Sequence, residues 1–460
     1  MKLLVILLYF IIIILIGVFT TKKVKTSKDF ALGGRKLSPI STALGAGAAD
    51  MSGWIMMALP GAVLLNGIQE IWLPIGLSIG AYLNWQFIAR IIRVNTKKYG
   101  DSITISSYLS NRFNDNSRIL KITVSIITTI FFIIYIASAL VALSFLIETY
   151  TKFNYLYCLI FSSAFVLLYT SLGGLTTINK IDVIQGTLML FSLLLVPITI
   201  IFNYDFNNIN NINLNITNPF SNLNYISIIS LLSWGLGYFG QPHILVRFMA
   251  IDKSKTLNIS KNICMSWMIL SLIGSFFIGL FGRLLFTDIN NINPETIFLL
   301  SADALFPNWL SGVILAAVIS AIMSTISAQL HATSCSLTEN FSIKILNKLN
   351  KVWIIRIIMF FIIFISATYA SNPQNTVLQL VSLAWAGLGS AFGPTILFSL
   401  YSKKMNKLSA LCGIFSGGFT VIFWHILKSY GGIFNLYEII PGFAISCLTI
   451  FILNHFTCKN

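Results

Sequence analysis

Thirteen stretches of about 20 mostly apolar residues, each the length that a helix needs to cross a bilayer, leave this chain one fold class: an all-α integral membrane protein. The runs lie near 3–20, 39–66, 68–92, 119–148, 154–172, 178–203, 225–250, 263–286, 308–338, 352–370, 376–401, 408–428 and 436–456. The first run follows a lone Lys2 and mimics a signal peptide. It is near full spanning length, however, and has no small-residue cleavage site before Lys22, so it reads as the first transmembrane helix. With 56% hydrophobic and 10% charged residues, the chain has too little polar surface to cover a water-soluble body of this size.

The net charge of +16 could signal a nucleic-acid partner only if the basic residues gathered on one surface. They sit instead in short runs between apolar stretches, as the positive-inside rule requires of a multi-pass protein of a bacterial-type cell membrane. Of the 30 Lys and Arg, all but Lys2, Lys152, Arg283 and Lys428 fall in or beside alternate loops. That division puts the N-terminus outside and the C-terminus in the cytoplasm. The Asn-rich loop from Asn203 to Asn224 has no Lys or Arg and suits an external connection. The six cysteines are scattered singly, with no metal-ligand or disulfide spacing. No H-E-x-x-H, G-x-S-x-G or Walker loop is present, so the reading is not an enzyme, with no catalytic residues. No stretch is long and polar enough for a soluble output or ATP-driven domain, and no obligatory protein partner is indicated.

Three runs break the pattern of a plain span. Irregular backbone is tolerated at membrane depth only where it is buried in protein or lines a cavity, so interruptions mark candidate sites. Residues 39–66 carry Gly45, Gly47, Asp50, Gly53 and Pro60 inside an apolar run. One reading is a helix unwound near Ala48 to Gly53 with carbonyls freed for a cation; the other is a tight small-residue interface with Asp50 in a structural hydrogen bond. An ionisable group at membrane depth costs about 2.5–3.5 kcal/mol on insertion scales, which favours function. In residues 315–334, Ala321, Ser324 and Thr325 fall at i, i+3 and i+4, on one helical face. Two hydroxyls and a carbonyl are hard oxygen donors suited to an alkali cation, although such hydroxyls often bond back to their own helix.

The third run, residues 233–250, contains GLGYFG, but no strand precedes it and the dinucleotide reading is rejected. Trp234, Tyr238 and Pro242 lie at i, i+4 and i+8, an aromatic stripe ending at a proline that must release a backbone carbonyl. It reads as a solute-binding kink or as an interfacial aromatic belt; the clustered Gly, Gln241 and Pro242 favour the kink. Asp182 stands open between a helix N-cap and part of an ion path. His243, His331 and His425 read as packing residues before proton relays.

The blocks ALGGRKLSP, GAADMSGW, ALPGAV, GAYLNW, WGLGYFGQPHIL, RFMA, IMSTISAQL, LTEN, LAWAGLGSAFGP and YEIIPGF resemble the sodium/solute symporter family, in particular its proline-carrying branch. The resemblance implies a leucine-transporter-like core of two inverted five-helix repeats. Residues 1–38 would form the first helix and a cytoplasmic loop, 39–203 the first repeat, 225–401 the second, and 402–460 two additional helices. It implies sodium as coupling ion, held by carbonyls of Ala48, Met51 and Ala321 and hydroxyls of Ser324 and Thr325, with Asp50 and Asp182 supporting the ion path. L-proline would rest against Tyr135, Trp234, Tyr238 and Pro242 with Ser52 close by, and Arg35 would stand at the cytoplasmic gate. Gly45 departs from the family's usual serine, and His331 from an apolar residue. The loop near 288–307 is short, and the family's hydrophilic C-terminal tail is not present. A symporter for another amino acid, a carboxylate or a vitamin is the nearest alternative, followed by a solute-binding sensor and a passive channel.

Overall fold

The computed structural model describes residues 1–21, 24, 26–203, 218–220, 224–286, 292–340, 350–372 and 377–457. Most of the Asn-rich loop read as external, and residues 287–291 of the shortened loop, lie outside the described residues. In chain order the helices are α1 (Lys2–Thr21), α2 (Ser27–Leu32), α3 (Pro39–Asp50), α4 (Leu59–Asn66), α5 (Trp72–Leu83), α6 (Ala89–Lys98), α7 (Ile105–Arg112), α8 (Ile119–Thr151) and α9 (Tyr155–Asn203). There follow α10 (Tyr225–Ser233), α11 (Pro242–Ala250), α12 (Leu257–Leu285), α13 (Ile297–Leu305), α14 (Asn308–Thr338), α15 (Lys351–Ala370), α16 (Val377–Tyr401), α17 (Lys407–Leu427) and α18 (Ile439–Thr457). Among the described residues the only extended pairing is an isolated bridge between Leu37 and Ile251.

Ten helical stretches among the described residues are long and apolar enough to cross a membrane. Two exceed one crossing. Trp54–Lys98 holds 45 residues and Tyr155–Asn203 holds 49, about 65–75 Å at 1.5 Å per residue against a hydrocarbon core of about 30 Å. The second is bent at Gly174, whose backbone (φ 59°, ψ −154°) is open to glycine and hostile to other residues. A Cβ there would also strike the carbonyl of Phe30, so α2 nests directly in the bend.

α14 lies at the centre. From Ser311 to Ser336 nearly every residue is buried, and its neighbours are α9, α8, α1, α15 and α3. A helix buried all round has no polar face to present, which explains its run of Ala, Ser, Thr and Ile. α1, by contrast, turns Leu3, Leu7, Ile11, Leu15 and Phe19 outward, the face expected toward lipid.

One end of the bundle is sealed. Leu37 N–H donates to Ala250 O (3.2 Å) and Asp252 N–H to Leu37 O (3.1 Å), stitching the stretch before α3 to the end of α11. The Arg93 guanidinium donates to the carbonyls of Ile251 (2.8 Å) and Asp252 (3.1 Å). At the opposite end a cavity of about 880 Å³ opens between α4, α8, α13 and the start of α16, reaching inward to Met57 and Ala142.

Candidate functional site

The α3 break is set by its backbone hydrogen bonds. Ser38 caps α3 through Ser41 N–H, with Pro39 at the first turn where no N–H is needed. The helix runs to Asp50, and Met51 N–H still donates to Gly47 O (2.9 Å). Ser52 N–H then turns to Asp50 O (3.1 Å), and Ile55 N–H to Ser52 O (3.2 Å). In a continuous helix these donors would have served Ala48 and Met51. The break is therefore narrower than the sequence suggested: Ala48, Ala49 and Asp50 stay helical, and the chain departs only at Met51 and Ser52 before a π turn over Trp54–Ala58.

The freed Ala48 carbonyl accepts from Ser324 Oγ at 2.7 Å, and the same hydroxyl lies 3.0 Å from Ala321 O. Thr325 Oγ1 makes only a long contact to Ala321 O, 3.4 Å. Ala48, Met51, Ala321, Ser324 and Thr325 are all fully buried. The carbonyls of Ala48 and Ala321 and the hydroxyls of Ser324 and Thr325 thus meet where the end of α3 crosses the middle of α14, hard-oxygen donors of the kind that suits a small alkali cation; Met51 is buried at the break itself.

The second break differs from its expected form. Residues 234–240 wind as a 3₁₀ segment, Gln241 is extended, and Pro242 opens α11. Pro242 therefore releases no carbonyl; at a first helical position its missing N–H is not needed. Nor do Trp234 and Tyr238 form one stripe. Four residues turn by about 40° off a full turn in an α-helix but by about 120° at three residues per turn. Trp234 accordingly stacks on Tyr437 (5.0 Å between centroids), while Tyr238 meets Trp385 edge to face (5.2 Å) and donates its hydroxyl to Asp50. Pro242 lies apart from both, lining a water-sized cavity with His331 and Thr128.

Tyr135 is fully buried beside Ser52 and Asp50, and its hydroxyl has no well-formed hydrogen bond. Its ring touches that of His243 (6.5 Å). Asp182 is not an N-cap: it lies inside α9, fully buried, and pairs with Arg247 at 3.0 Å. Arg247, read from the sequence as a loop charge, also donates to His243 O and is fully buried itself. An arginine inside an apolar run was the signal available for it. His331 Nε2 faces Phe30 O (3.0 Å), and His425 pairs with Glu438 (2.9 Å).

Arg35 sits at the sealed end and is nearly buried. It reaches Asp101 (3.1 Å), the Ser102 carbonyl (2.8 Å) and the Met249 carbonyl. Burial lowers its affinity for the proton, as does nearby Arg93, with Asp101 opposing. Burial would raise the Asp101 carboxyl, but Lys28 and Arg35 outweigh it and hold the group below the usual carboxylate range. Gly45, the departure from the family pattern, lies against the Asn179 carboxamide, which would collide with any Cβ there. Asn179 in turn donates to Ser41 O (2.7 Å).

Comparison with known proteins bears on the family and the fold. Residues 30–417 match the model of the sodium:solute symporter family. The sodium/proline symporter of Escherichia coli (strain K12) is 41% identical over 452 residues, covering 95% of this chain and 89% of that one. The sodium/proline symporter of Staphylococcus aureus (strain NCTC 8325 / PS 47) is 40% identical over 471 residues, covering 98% and 92%. Among solved structures, a Na+-coupled sialic acid symporter superposes with a TM-score of 0.82 at 20% identity, covering 99% of this chain and 98% of that one. A nucleobase-cation-symport-1 family transporter superposes with a TM-score of 0.60 at 12% identity, covering 93% and 94%.

Proposed function

The chain belongs to the sodium:solute symporter family, and from that premise we propose that it carries L-proline into the cell together with sodium, by alternating access. The observation that carries the reading is the junction of the two interrupted segments. Tyr238 of the second segment donates to Asp50, two residues from Ala48, whose carbonyl is bonded by Ser324. Sodium is a co-substrate here, and Ala48, Met51, Ala321, Ser324 and Thr325 would hold it. Binding sodium fixes the end of α3, and with it the carboxylate that positions Tyr238; by linkage the solute then strengthens sodium binding by the same factor.

Proline suits these residues because their aromatic faces complement an apolar ring, while polar groups at the helix breaks would serve its amine and carboxylate. Tyr238 is the aromatic contact nearest the ion ligands, Tyr135 and Ser52 flank it, and Trp234 and Pro242 lie farther along the path. Asp182, paired with Arg247, would line the route by which sodium leaves.

Counting each over-long stretch as two crossings and α10 with α11 as one yields thirteen spans. The first repeat would then run over 39–203 and the second over 225–401. The distribution of basic residues puts the sealed end in the cytoplasm, the N-terminus outside and the C-terminus inside. Arg35 then acts as part of the inner gate, and the 880 Å³ cavity is the outer entrance. Uptake of labelled proline into proteoliposomes tests the reading. Accumulation should require an inward sodium gradient, and uptake indifferent to sodium, or displaced equally by alanine, would refute it.

A further inference from the structure

The 3₁₀ segment 234–240 has no regular helix to hold it, yet its neighbour α16 fastens it at several points through one residue. Trp385 Nε1–H donates to the Trp234 carbonyl at 2.8 Å. Its ring meets Tyr238 edge to face at 5.2 Å. Its own carbonyl accepts from the Gln241 side chain at 3.3 Å, just beyond the end of the segment. The residue is 3% exposed, and its indole lies so close to Gly237 that a Cβ there would collide with the five-membered ring. Trp234 and Tyr238 point in different directions, so the placement of one ring relative to the other is set by whatever fixes this backbone.

We propose that Trp385 is a positioning residue that holds the Trp234–Gln241 segment through the Trp234 carbonyl and the Tyr238 ring, and so determines which ring size of cyclic amino acid the cleft accepts. The assignment rests on the reading of the cleft as a proline site. A buried carbonyl that loses its only side-chain donor must find another partner or suffer desolvation. In an unwound segment the cheapest remedy is a backbone shift. Such a shift moves Trp234 relative to Tyr238 while leaving the α3–α14 junction, on the far side of Asp50, in place.

The test uses the full chain in proteoliposomes with a ring-size series: azetidine-2-carboxylate, proline and pipecolate. Trp385→Phe keeps an aromatic ring but lacks the N–H donor. It should raise the proline KM about tenfold, as expected for one buried hydrogen bond, and pull the three ligands' affinities together. The sodium concentration giving half-maximal uptake should stay within a factor of about two. Equal loss for all three ligands, leaving the ratios of their affinities as in wild type, would mean that Trp385 only supports the fold. A second pair of variants reads the contact itself. Gly237→Ala should lower the thermal unfolding temperature of wild type, and should lower it much less in a Trp385→Ala background, where the ring a Cβ would strike is gone; an equal loss in both backgrounds would overturn the contact. If wild type accumulates no proline, the functional reading fails. If wild type does so and Trp385→Phe keeps its ring-size preference, only the role of Trp385 fails.

Discussion

Tyr238 donates its hydroxyl to Asp50 across 188 residues of sequence, joining the break in one interrupted span to the break in the other. Tyr238→Phe keeps the ring and removes this bond, leaving a buried carboxylate short of a donor. Such a loss costs about 1–3 kcal/mol, and each 1.4 kcal/mol is about tenfold in affinity. Sodium affinity, read from a sodium titration of proline binding, should fall roughly ten- to a hundredfold. An unchanged titration would show that Asp50 does not relay between solute and ion.

Ser324 and Thr325 should not be equivalent. The Ser324 hydroxyl bridges to Ala48 O at 2.7 Å, whereas Thr325 makes only a 3.4 Å contact within its own helix. Both Ser324→Ala and Thr325→Ala should weaken sodium about ten- to a hundredfold and leave proline affinity at saturating sodium little changed. At low sodium, proline affinity should drop as well, because linkage is reciprocal. Ser324→Ala should additionally destabilise the α3–α14 crossing. Superimposable sodium curves for Thr325→Ala and wild type would remove Thr325 from the site.

Gly45→Ser, which restores the residue usual in the family, should harm this chain. The added side chain meets the Asn179 carboxamide, and overpacking of this kind costs about 1–3 kcal/mol. Asn179→Ala in the same chain should relieve the clash. Thermal unfolding in detergent checks both, and a Gly45→Ser chain as stable as wild type would contradict the packing described here.

Arg247→Met strips the partner from Asp182 and leaves a buried carboxylate unpaired, a change that costs about 3–5 kcal/mol in comparable pairs. Replacing both residues, with Asp182→Leu added, should cost less. If the double variant unfolds at a lower temperature than Arg247→Met, the pair is held by more than mutual compensation.

At the sealed end, the ion pairs of Lys28 and Arg35 with Asp101 depend on that carboxylate being ionised. Lys28 and Arg35 hold its carboxyl below the ordinary value, which is about 3.9. The contribution of these pairs is thus at full strength above about pH 5, flat through neutrality, and lost as pH falls through the ordinary value toward the lower folded one, while the bonds to backbone carbonyls remain. Asp101→Asn should mimic the acid state at neutral pH. Cys335, in the water-sized cavity behind this gate, should then react faster with a permeant maleimide in a chain cleared of other cysteines. Equal rates would place the gate elsewhere.

The sequence alone determined that this is a membrane protein and marked its two interrupted spans, whereas the third run it singled out, 315–334, lies within the unbroken helix α14. The membrane class and the two breaks follow from hydropathy, charge and small residues in a short window, properties that add locally and need no partner. It also marked Ala321, Ser324 and Thr325 as one face, because α14 is a regular helix and its periodicity can be counted. The same count failed at Trp234 and Tyr238, since their segment winds with three residues per turn and nothing local announces the change. Only the tertiary structure decided that Tyr238 reaches Asp50, that Arg247 neutralises Asp182, and that Trp385 takes the Trp234 carbonyl. Those partners stand 188, 65 and 151 residues apart. Which of them meet is set by how whole helices cross, and by the need of each buried polar group to find a partner where lipid supplies none.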